Sequence, residues 1–258
     1  MTRAEAVKLL EAAGVMDALR DVRRLERYAD GDKVRFARAV KARAKRKPLS
    51  HITGTRAFWK HDFGVTPDVL DPRPETETLV ELALNEPFSK VLDLGTGSGC
   101  IVISLLMERP EARGVGTDIS EKAVLVAGEN AVTAEVAERL ILPLSDWYDD
   151  VGGRFDLIVS NPPYIAADEM AGLSPEVRDY EPTGALTDHG DGLSAYRAIA
   201  AGALAHLTPG GRLLVEIGPT QASAVTAIFQ AAGLEDVTTH PDLDGRDRVV
   251  AARAPLSE

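Results

Sequence analysis

Residues 91–100 read Val91-Leu92-Asp93-Leu94-Gly95-Thr96-Gly97-Ser98-Gly99-Cys100. The apolar start predicts a short buried strand, and a helical pattern follows the glycines from position 100 to about position 109. A strand that runs through a glycine-rich turn into a helix lets a nucleotide-like ligand approach the backbone closely. A glycine-rich turn alone is weak evidence for such a ligand, so further residues are needed to support it.

The position of Asp118 suits a carboxylate that binds the ribose of a nucleotide-like ligand. The next predicted strand, residues 114–117, ends at Asp118, which lies 21 positions after Gly97 (118 − 97). This spacing suits an acid that accepts hydrogen bonds from ribose hydroxyls. The glycine turn and Asp118 together therefore predict a binding site at the carboxyl ends of two strands.

A second motif, Asn161-Pro162-Pro163-Tyr164, follows an apolar run at residues 155–160. It lies at the carboxyl end of a predicted strand, where open α/β sheets build their sites. The two prolines stiffen the loop and remove two backbone donors, which leaves the Asn161 side-chain oxygen and the Pro162 carbonyl as acceptors. A planar NH2 group needs two such acceptors, and Tyr164 could stack on its face. We interpret the loop as a holder for an amide or aromatic amine; the alternative is an ordinary rigid turn.

Predicted strands and helices alternate through the rest of the chain. The predicted order is strand 91–94, helix 100–109, strand 114–117, helix 120–130, strand 140–142, strand 155–160, helix 193–207, strand 211–217, helix 221–232, and closing strands near 235–240 and 247–252. Such alternation predicts an α/β fold with a parallel, doubly wound sheet. Ser120 and Thr220 are the expected N-caps of two of these helices.

The first 71 residues have a different pattern. It is helical up to Lys47, and β-segments at 52–59 and 63–65 then predict a hairpin. Prolines at positions 67, 72 and 74 mark a boundary. We therefore expect a small N-terminal helical domain with a β-hairpin connector at residues 1–71 and a catalytic domain at residues 72–258.

Composition limits the classes of protein and site. The chain has 258 residues and a formal net charge of −11, which argues against a broad nucleic-acid surface. Its single cysteine, Cys100, excludes an internal disulfide and suits a reducing cytosol; we expect it to be a small buried apolar residue rather than a nucleophile. The five histidines lack metal-ligand spacing, so no metal is expected. No signal-peptide or membrane-spanning apolar run is evident.

One segment is strongly basic despite the acidic total. Residues 33–47 contain no acid and eight bases, namely Lys33, Arg35, Arg38, Lys41, Arg43, Lys45, Arg46 and Lys47. Apolar residues recur among them at helical spacing, which predicts a basic amphipathic helix. It is either a solvated helix face or a docking surface for an acidic partner.

The motifs carry a family resemblance. The segments from Asp93 to Ile101 and from Ser160 to Ile165 resemble the S-adenosylmethionine-dependent amino-methyltransferases. Further segments narrow the resemblance to the protein-(glutamine-N5) methyltransferases that act on peptide chain release factors; they are Pro72-Arg73-Pro74-Glu75-Thr76-Glu77, Tyr180-Glu181-Pro182, Asp191-Gly192-Leu193, Glu216-Ile217-Gly218-Pro219-Thr220-Gln221 and Gly245-Arg246-Asp247-Arg248.

The resemblance implies a Rossmann-like, seven-stranded methyltransferase sheet and S-adenosylmethionine as cofactor. It implies methyl transfer to the side-chain nitrogen of the glutamine in a Gly-Gly-Gln loop of a release factor. The implied protein is cytoplasmic and monomeric, with no membrane and no direct nucleic-acid partner.

The resemblance also assigns site residues. The cofactor-binding residues would be Gly95, Thr96, Gly97, Ser98, Gly99, Asp118, Asp146, Trp147 and Asn161. The catalytic residues would be Asn161, Pro162 and Tyr164, and these three with Pro163 would bind the substrate.

Several assignments stay open. By resemblance, Asp146 meets the adenine amino group and Trp147 lies against the ring; the alternative is a capping acid beside a half-buried tryptophan. The roles of Arg73, Glu75, Glu77, Glu181 and Glu216 are not decided, because helix-terminus or structural hydrogen bonding would explain the acids equally well.

Three other functions remain alternatives. The first is a nucleic-acid amino-methyltransferase acting on adenine or cytosine, which would need base flipping and a basic cleft. The second is a non-catalytic nucleotide-binding module, and the third is a dinucleotide oxidoreductase. The chain departs from the family at Asp188-His189, where two glycines are frequent, and this leaves the local loop conformation open.

Overall fold

A computed structural model describes residues 1–256, so the last two residues of the expected catalytic domain, 257–258, lie outside the described residues. The chain starts with three helices: α1 (Arg3–Ala12), α2 (Ala18–Ala29) and α3 (Lys33–Ala44). Asp32 caps α3 by accepting hydrogen bonds from the backbone N–H groups of residues 34 and 35. The three helices bury a core of their own that includes Leu10, Leu25 and Val40. The domain boundary at position 71 stays a prediction.

A β-hairpin connects these helices to the sheet. It consists of β1 (Thr55–Phe58) and β2 (His61–Gly64), which pair antiparallel. The hairpin prediction is confirmed, but its expected start at residue 52 is wrong. Residues 49–53 form a short helix, α4 (Leu49–Thr53), which ends at Gly54 with a φ of 82°. Phe58 and Phe63 are buried in the core of the larger sheet, so the hairpin packs on the catalytic part.

The large sheet has seven strands. They are β3 (Lys90–Leu94), β4 (Arg113–Thr117), β5 (Leu140–Ile141), β6 (Phe155–Ser160), β7 (Leu207–Glu216), β8 (Glu235–Pro241) and β9 (Asp247–Arg253). Their order in the sheet is β5-β4-β3-β6-β7-β9-β8. The parallel prediction is confirmed for β3 to β7 and wrong for the last two, because β9 runs antiparallel to both β7 and β8. The connection between β8 and β9 is a short turn, which permits only an antiparallel pair.

Helices cover both faces of the sheet. They are α5 (Glu77–Leu84), α6 (Cys100–Glu108), α7 (Glu121–Thr133), α9 (Ser194–His206) and α10 (Ala222–Ala231), whereas the short helix α8 (Pro175–Tyr180) contacts the N-terminal part through Glu176. Along β3, Val91 packs with α5 and α6, while Leu92 and Leu94 pack with α9 and α10 on the opposite face. The sheet is therefore doubly wound, and the carboxyl ends of β3, β4 and β6 meet at one edge.

The two N-cap predictions have different outcomes. The Ser120 hydroxyl accepts a hydrogen bond from the N–H of Ala123 and caps α7, as expected. Thr220 does not cap α10, because the capping position is Gln221. The Gln221 side chain instead donates to the carbonyl of Tyr164 and accepts from the N–H of Gly218, so it supports the loop of the second motif.

The described part of the chain, residues 1–256, contains no helix that is long and apolar enough to cross a bilayer. Across the same residues, no group of three or more histidine, cysteine or acidic side chains is placed to hold a metal ion.

Candidate active site

The glycine turn after β3 is joined to the acid at the end of β4. The N–H of Gly97 donates to Asp118 Oδ2 at 2.9 Å, and the N–H of Ser120 donates to Asp118 Oδ1 at 2.9 Å. Gly95 and Gly97 have φ values of 69° and 56°, which glycine adopts without strain. A Cβ at either position would meet no atom within 4 Å, so the space beside the turn is open.

Thr96 and Gly99 stabilise the turn and its packing against β3 and α6. The Thr96 hydroxyl donates to Asp93 Oδ2 at 2.8 Å, and burial raises the pKa of Asp93 to about 7. A Cβ on Gly99 would come 2.7 Å from Ile103 Cδ1, so glycine here lets α6 begin close to the strand. Gly99 does not line the cavity beside the turn, whereas Ser98 does.

A cavity of about 320 Å³ opens beside the glycine turn. Its lining includes Gly95, Thr96, Gly97, Ser98, Asp118, Asp146, Trp147, Asn161 and Pro163. The cavity thus brings together most of the residues that the sequence assigned to a cofactor. Cys100 also lines it, but burial raises the pKa of this thiol to about 12, which excludes a ready thiolate.

Trp147 reaches the cavity through an unusual backbone conformation. Its φ is 48°, in the left-handed region that bulky residues avoid. Ser145 stabilises this turn, because its hydroxyl donates to the carbonyl of Trp147 and accepts from the N–H of Asp150. Strained residues held in this way are enriched at ligand sites.

The second motif forms the wall between two cavities. Asn161 lines both of them, Pro163 lines the first, and Pro162 and Tyr164 line the second. The second cavity measures about 350 Å³. Leu70, Arg73, Asn161 and Ala185 border both spaces, so the two cavities are neighbours.

A hydrogen-bonded chain fixes the Asn161 side chain. Asn161 Nδ2 donates to the hydroxyl of Thr76 at 3.2 Å, and this hydroxyl donates to Glu216 Oε2 at 2.5 Å. The Tyr164 hydroxyl donates to the other oxygen, Glu216 Oε1, at 3.3 Å. No residue between positions 1 and 256 donates a hydrogen bond to Asn161 Oδ1 or to the carbonyl of Pro162. Both predicted acceptors are therefore available to a ligand.

The acidic residues left open by the sequence have distinct positions. Glu181 is buried and accepts two hydrogen bonds from Arg73, at 2.6 and 2.7 Å. Glu75 lines the second cavity. Glu77 accepts from the N–H of Trp59 and so holds the hairpin, which is a structural role.

The basic face of α3 is smaller than the sequence indicated. Arg43 and Arg46 turn inward and form ion pairs with Glu176 of α8, at 2.9 and 2.6 Å. Arg43 also pairs with Asp21 at 2.7 Å. Five bases remain exposed, and they are Lys33, Arg35, Arg38, Lys41 and Lys45.

The unusual Asp188-His189 pair forms a well-bonded loop. Asp188 accepts hydrogen bonds from the N–H groups of Gly190, Gly192 and Ser194 and from the Ser194 hydroxyl. Although burial opposes ionisation, these donors hold the pKa of Asp188 well below its usual range. His189 adopts a φ of 59°, a conformation that a glycine would adopt more easily.

Sequence reasoning missed Thr76 as a site residue and left Glu216 undecided. Thr76 was visible inside a motif, but its partners lie 85 and 140 positions away, so no local pattern could link them. The position of Glu216 at the end of a central strand was the available signal.

Comparisons with known proteins agree with this geometry. The Methyltransferase small domain family matches residues 68–173. Release factor glutamine methyltransferase from Cereibacter sphaeroides is 57% identical, over 98% of this chain and 97% of that protein. The protein of the same name from Rhodospirillum rubrum is 42% identical, over 95% of this chain and 81% of that protein. A solved methyltransferase from Pyrococcus furiosus shares the fold, with a TM-score of 0.59 at 17% identity over 77% of this chain and 91% of that one. These matches confirm the resemblance inferred from the motifs and the fold class that it implies.

Proposed function

Because this chain belongs to the family of release factor glutamine methyltransferases, we propose that the first cavity holds S-adenosylmethionine and that the second receives the acceptor glutamine. The enzyme methylates the side-chain nitrogen of a glutamine in a release factor and depends on S-adenosylmethionine. The position of Asn161 is the observation that supports this assignment of the two cavities. Its amide stands between the two cavities, with Nδ2 held by Thr76 and Oδ1 free.

The first cavity suits the cofactor. The glycine turn leaves open space where side chains would otherwise stand, so the amino-acid part of the cofactor could approach the backbone. Asp118 would accept hydrogen bonds from the ribose hydroxyls, and Asp146 and Trp147 would contact the adenine. When bound, S-adenosylmethionine supplies a methyl group on a positively charged sulfur, which departs as a neutral thioether.

The chain's own residues must make a poor nucleophile react. The lone pair of a carboxamide nitrogen is delocalised into its carbonyl, so the nitrogen attacks only when it is held close and in line. Asn161 Oδ1 and the Pro162 carbonyl would accept its two N–H protons and orient it toward the first cavity. Both oxygens would also stabilise the positive charge that develops on the nitrogen as the N–C bond forms and the S–C bond breaks. The alkylated nitrogen then releases one proton to water, since it is far more acidic than the neutral amide.

The second cavity suits a side chain carried by a narrow loop. Its lining includes the apolar residues Leu173 and Val177 together with Tyr164 of the motif. A glutamine flanked by glycines can enter such a space because glycine adds no side chain and adopts many backbone conformations. The second cavity therefore favours the Gly-Gly-Gln loop as the methylated segment.

Helices α1 to α3 would provide a second contact with the release factor. The five exposed bases between Lys33 and Lys45, four of them in α3, would steer an acidic surface of that partner. We further propose that the enzyme acts as a cytoplasmic monomer without direct nucleic-acid contact, since its total charge of −11 opposes binding to phosphate backbones.

A transfer assay tests the acceptor class. The purified chain is incubated with labelled S-adenosylmethionine and, in separate reactions, with a release factor, duplex DNA and RNA. Label should appear in the release factor alone. Label in nucleic acid, with the release factor unlabelled, would favour the adenine or cytosine methyltransferase instead.

A further inference from the structure

We propose that Thr76 and Glu216 are positioning residues that determine which atom of the Asn161 side-chain amide faces the substrate. The proposal rests on the proposed function, because it concerns how Asn161 meets the acceptor glutamine. An asparagine amide has one accepting end and one donating end of nearly equal size. Packing alone therefore distinguishes the two orientations poorly, and hydrogen bonds must select one.

The direction of the hydrogen bonds from Asn161 through Thr76 to Glu216 selects one orientation of the Asn161 amide. An ionised carboxylate only accepts hydrogen bonds, so Glu216 requires the single proton of the Thr76 hydroxyl, 2.5 Å away. Thr76 then has only lone pairs left for Asn161, at 3.2 Å. The amide must present its NH2 end to Thr76, and Oδ1 is left to face the acceptor.

Protonation of Glu216 would reverse the direction of the hydrogen bonds that join Asn161, Thr76 and Glu216. The protonated carboxyl would donate to Thr76, and the hydroxyl would turn its own proton toward Asn161. The amide would then satisfy Thr76 with Oδ1 and direct its NH2 group at the substrate NH2. Two donors would face each other, and the acceptor nitrogen would no longer be held.

The surroundings of Glu216 place this switch within reach of ordinary pH. Burial raises the pKa of Glu216 to about 7, although the hydrogen bond from Thr76 and the positive charge of Arg248 oppose the rise. The other titratable groups that face it come from four separate segments, and they are Tyr164, Tyr196, Glu75 and Cys100. Tyr164 donates to Glu216 Oε1 and so also favours the ionised form.

Two substitutions at position 76 isolate the hydroxyl. Thr76→Val keeps the shape and removes the hydroxyl, whereas Thr76→Ser keeps the hydroxyl and removes a methyl group. Thr76→Val should lower kcat by about tenfold to a hundredfold, the usual effect of a misplaced positioning group. Thr76→Ser should restore most of that loss. Because Thr76 also lines the first cavity, the Kd for S-adenosylmethionine is measured by calorimetry for both variants, and it should change far less than kcat. Equal kcat values for the two variants would overturn the proposal.

Glu216→Gln provides the second variant. The kcat of the wild-type enzyme should fall as the pH decreases through the pKa of Glu216, which the cationic cofactor shifts below its value in the free protein. A glutamine cannot titrate, so this acidic limb should disappear from the profile of Glu216→Gln. An acidic limb at the wild-type pH in Glu216→Gln would overturn the proposal.

Methyl transfer by the wild-type enzyme distinguishes a failure of the proposed function from a failure of the positioning role. If wild-type enzyme transferred no methyl group to a release factor, the assigned reaction itself would be wrong. If wild-type enzyme were active and Thr76→Val equally active, the reaction would stand and only the positioning role would be lost.

Discussion

Replacing Glu176 with glutamine should loosen the contact between the N-terminal helices and the catalytic part. Glu176 accepts three hydrogen bonds from two guanidinium groups of the α3 region, one from Arg43 at 2.9 Å and two from Arg46, each at 2.6 Å. The side chains of Arg43, Glu176 and Arg46 are 10%, 18% and 27% exposed. The pairs therefore lie between the fully buried and the fully exposed cases.

The partial exposure of these ion pairs determines how much free energy of unfolding Glu176→Gln should cost. An exposed ion pair contributes about 0–1 kcal/mol, and breaking a fully buried one costs about 3–5 kcal/mol. Glutamine keeps the shape and one accepting oxygen, and Arg43 keeps its pair with Asp21. We expect Glu176→Gln to lower the free energy of unfolding by about 2 kcal/mol, within the range of about 1.5–3 kcal/mol for hydrogen bonds to charged groups.

The assay is urea unfolding combined with a double-mutant cycle of Glu176→Gln and Arg46→Gln. The matched control is the exposed pair of Asp191 and Arg197, whose side chains are 54% and 53% exposed at a separation of 2.5 Å. Asp191→Asn should cost less than about 1 kcal/mol. If Glu176→Gln cost no more than Asp191→Asn, the α3–α8 contact would not hold the two parts together.

The same contact predicts the sign of a pH effect. Burial tends to raise the pKa of Glu176, but the hydrogen bonds from Arg46 and Arg43 outweigh it, so the pKa is lowered. A carboxylate with a lowered pKa stabilises the folded state above its unfolded pKa, and this stabilisation is lost as the pH falls through the folded pKa. The stability difference between wild type and Glu176→Gln should therefore shrink in acid. Because Val177 lines the second cavity, the variant should also have a higher KM for the release factor.

Three further predictions separate binding, docking and reactivity. Asp118→Ala should weaken S-adenosylmethionine binding by about 1.5–3 kcal/mol in calorimetry, whereas Asn161→Ala should bind normally and lose roughly 10²–10³ in kcat; normal turnover in Asn161→Ala would remove its role. A combined variant neutralises four exposed bases of α3, namely Lys33, Arg35, Arg38 and Lys41. It should raise KM for the intact release factor and flatten its salt dependence without affecting a short glutamine peptide, whereas unchanged behaviour would leave α3 as a solvated face. Cys100 should react slowly with iodoacetamide at pH 8 in the folded protein and rapidly in urea, because burial keeps it a thiol.

The sheet could be predicted from sequence because its signals are local. The apolar runs at β3 and β6 identify buried strands, and the motifs after them lie at the edge where parallel strands build sites. The beginning of β7 was missed because Pro209 and two following glycines resemble a turn, although the strand starts at Leu207. Pairing of Leu207 with Phe155 of β6 outweighs this local preference.

The connections between distant residues could not be predicted. The basic stretch was interpreted as one exposed face. Glu176, which lies 130 positions from Arg46, instead forms ion pairs with two bases of that stretch, Arg43 and Arg46. The Thr76 hydroxyl is likewise meaningful only beside Asn161 and Glu216. A single sequence records which residues are present, and only the fold determines which of them touch.

The atom that receives the methyl group decides whether Asn161 holds a release-factor glutamine during transfer. An intact release factor is methylated with isotopically labelled S-adenosylmethionine, digested, and analysed by tandem mass spectrometry. We expect one methyl group per chain, on the side-chain nitrogen of the glutamine in the Gly-Gly-Gln loop, and an initial rate roughly 10²–10³ lower in a parallel reaction with cofactor-saturated Asn161→Ala. A methyl group on any other residue type, or equal methylation by Asn161→Ala, would contradict the account.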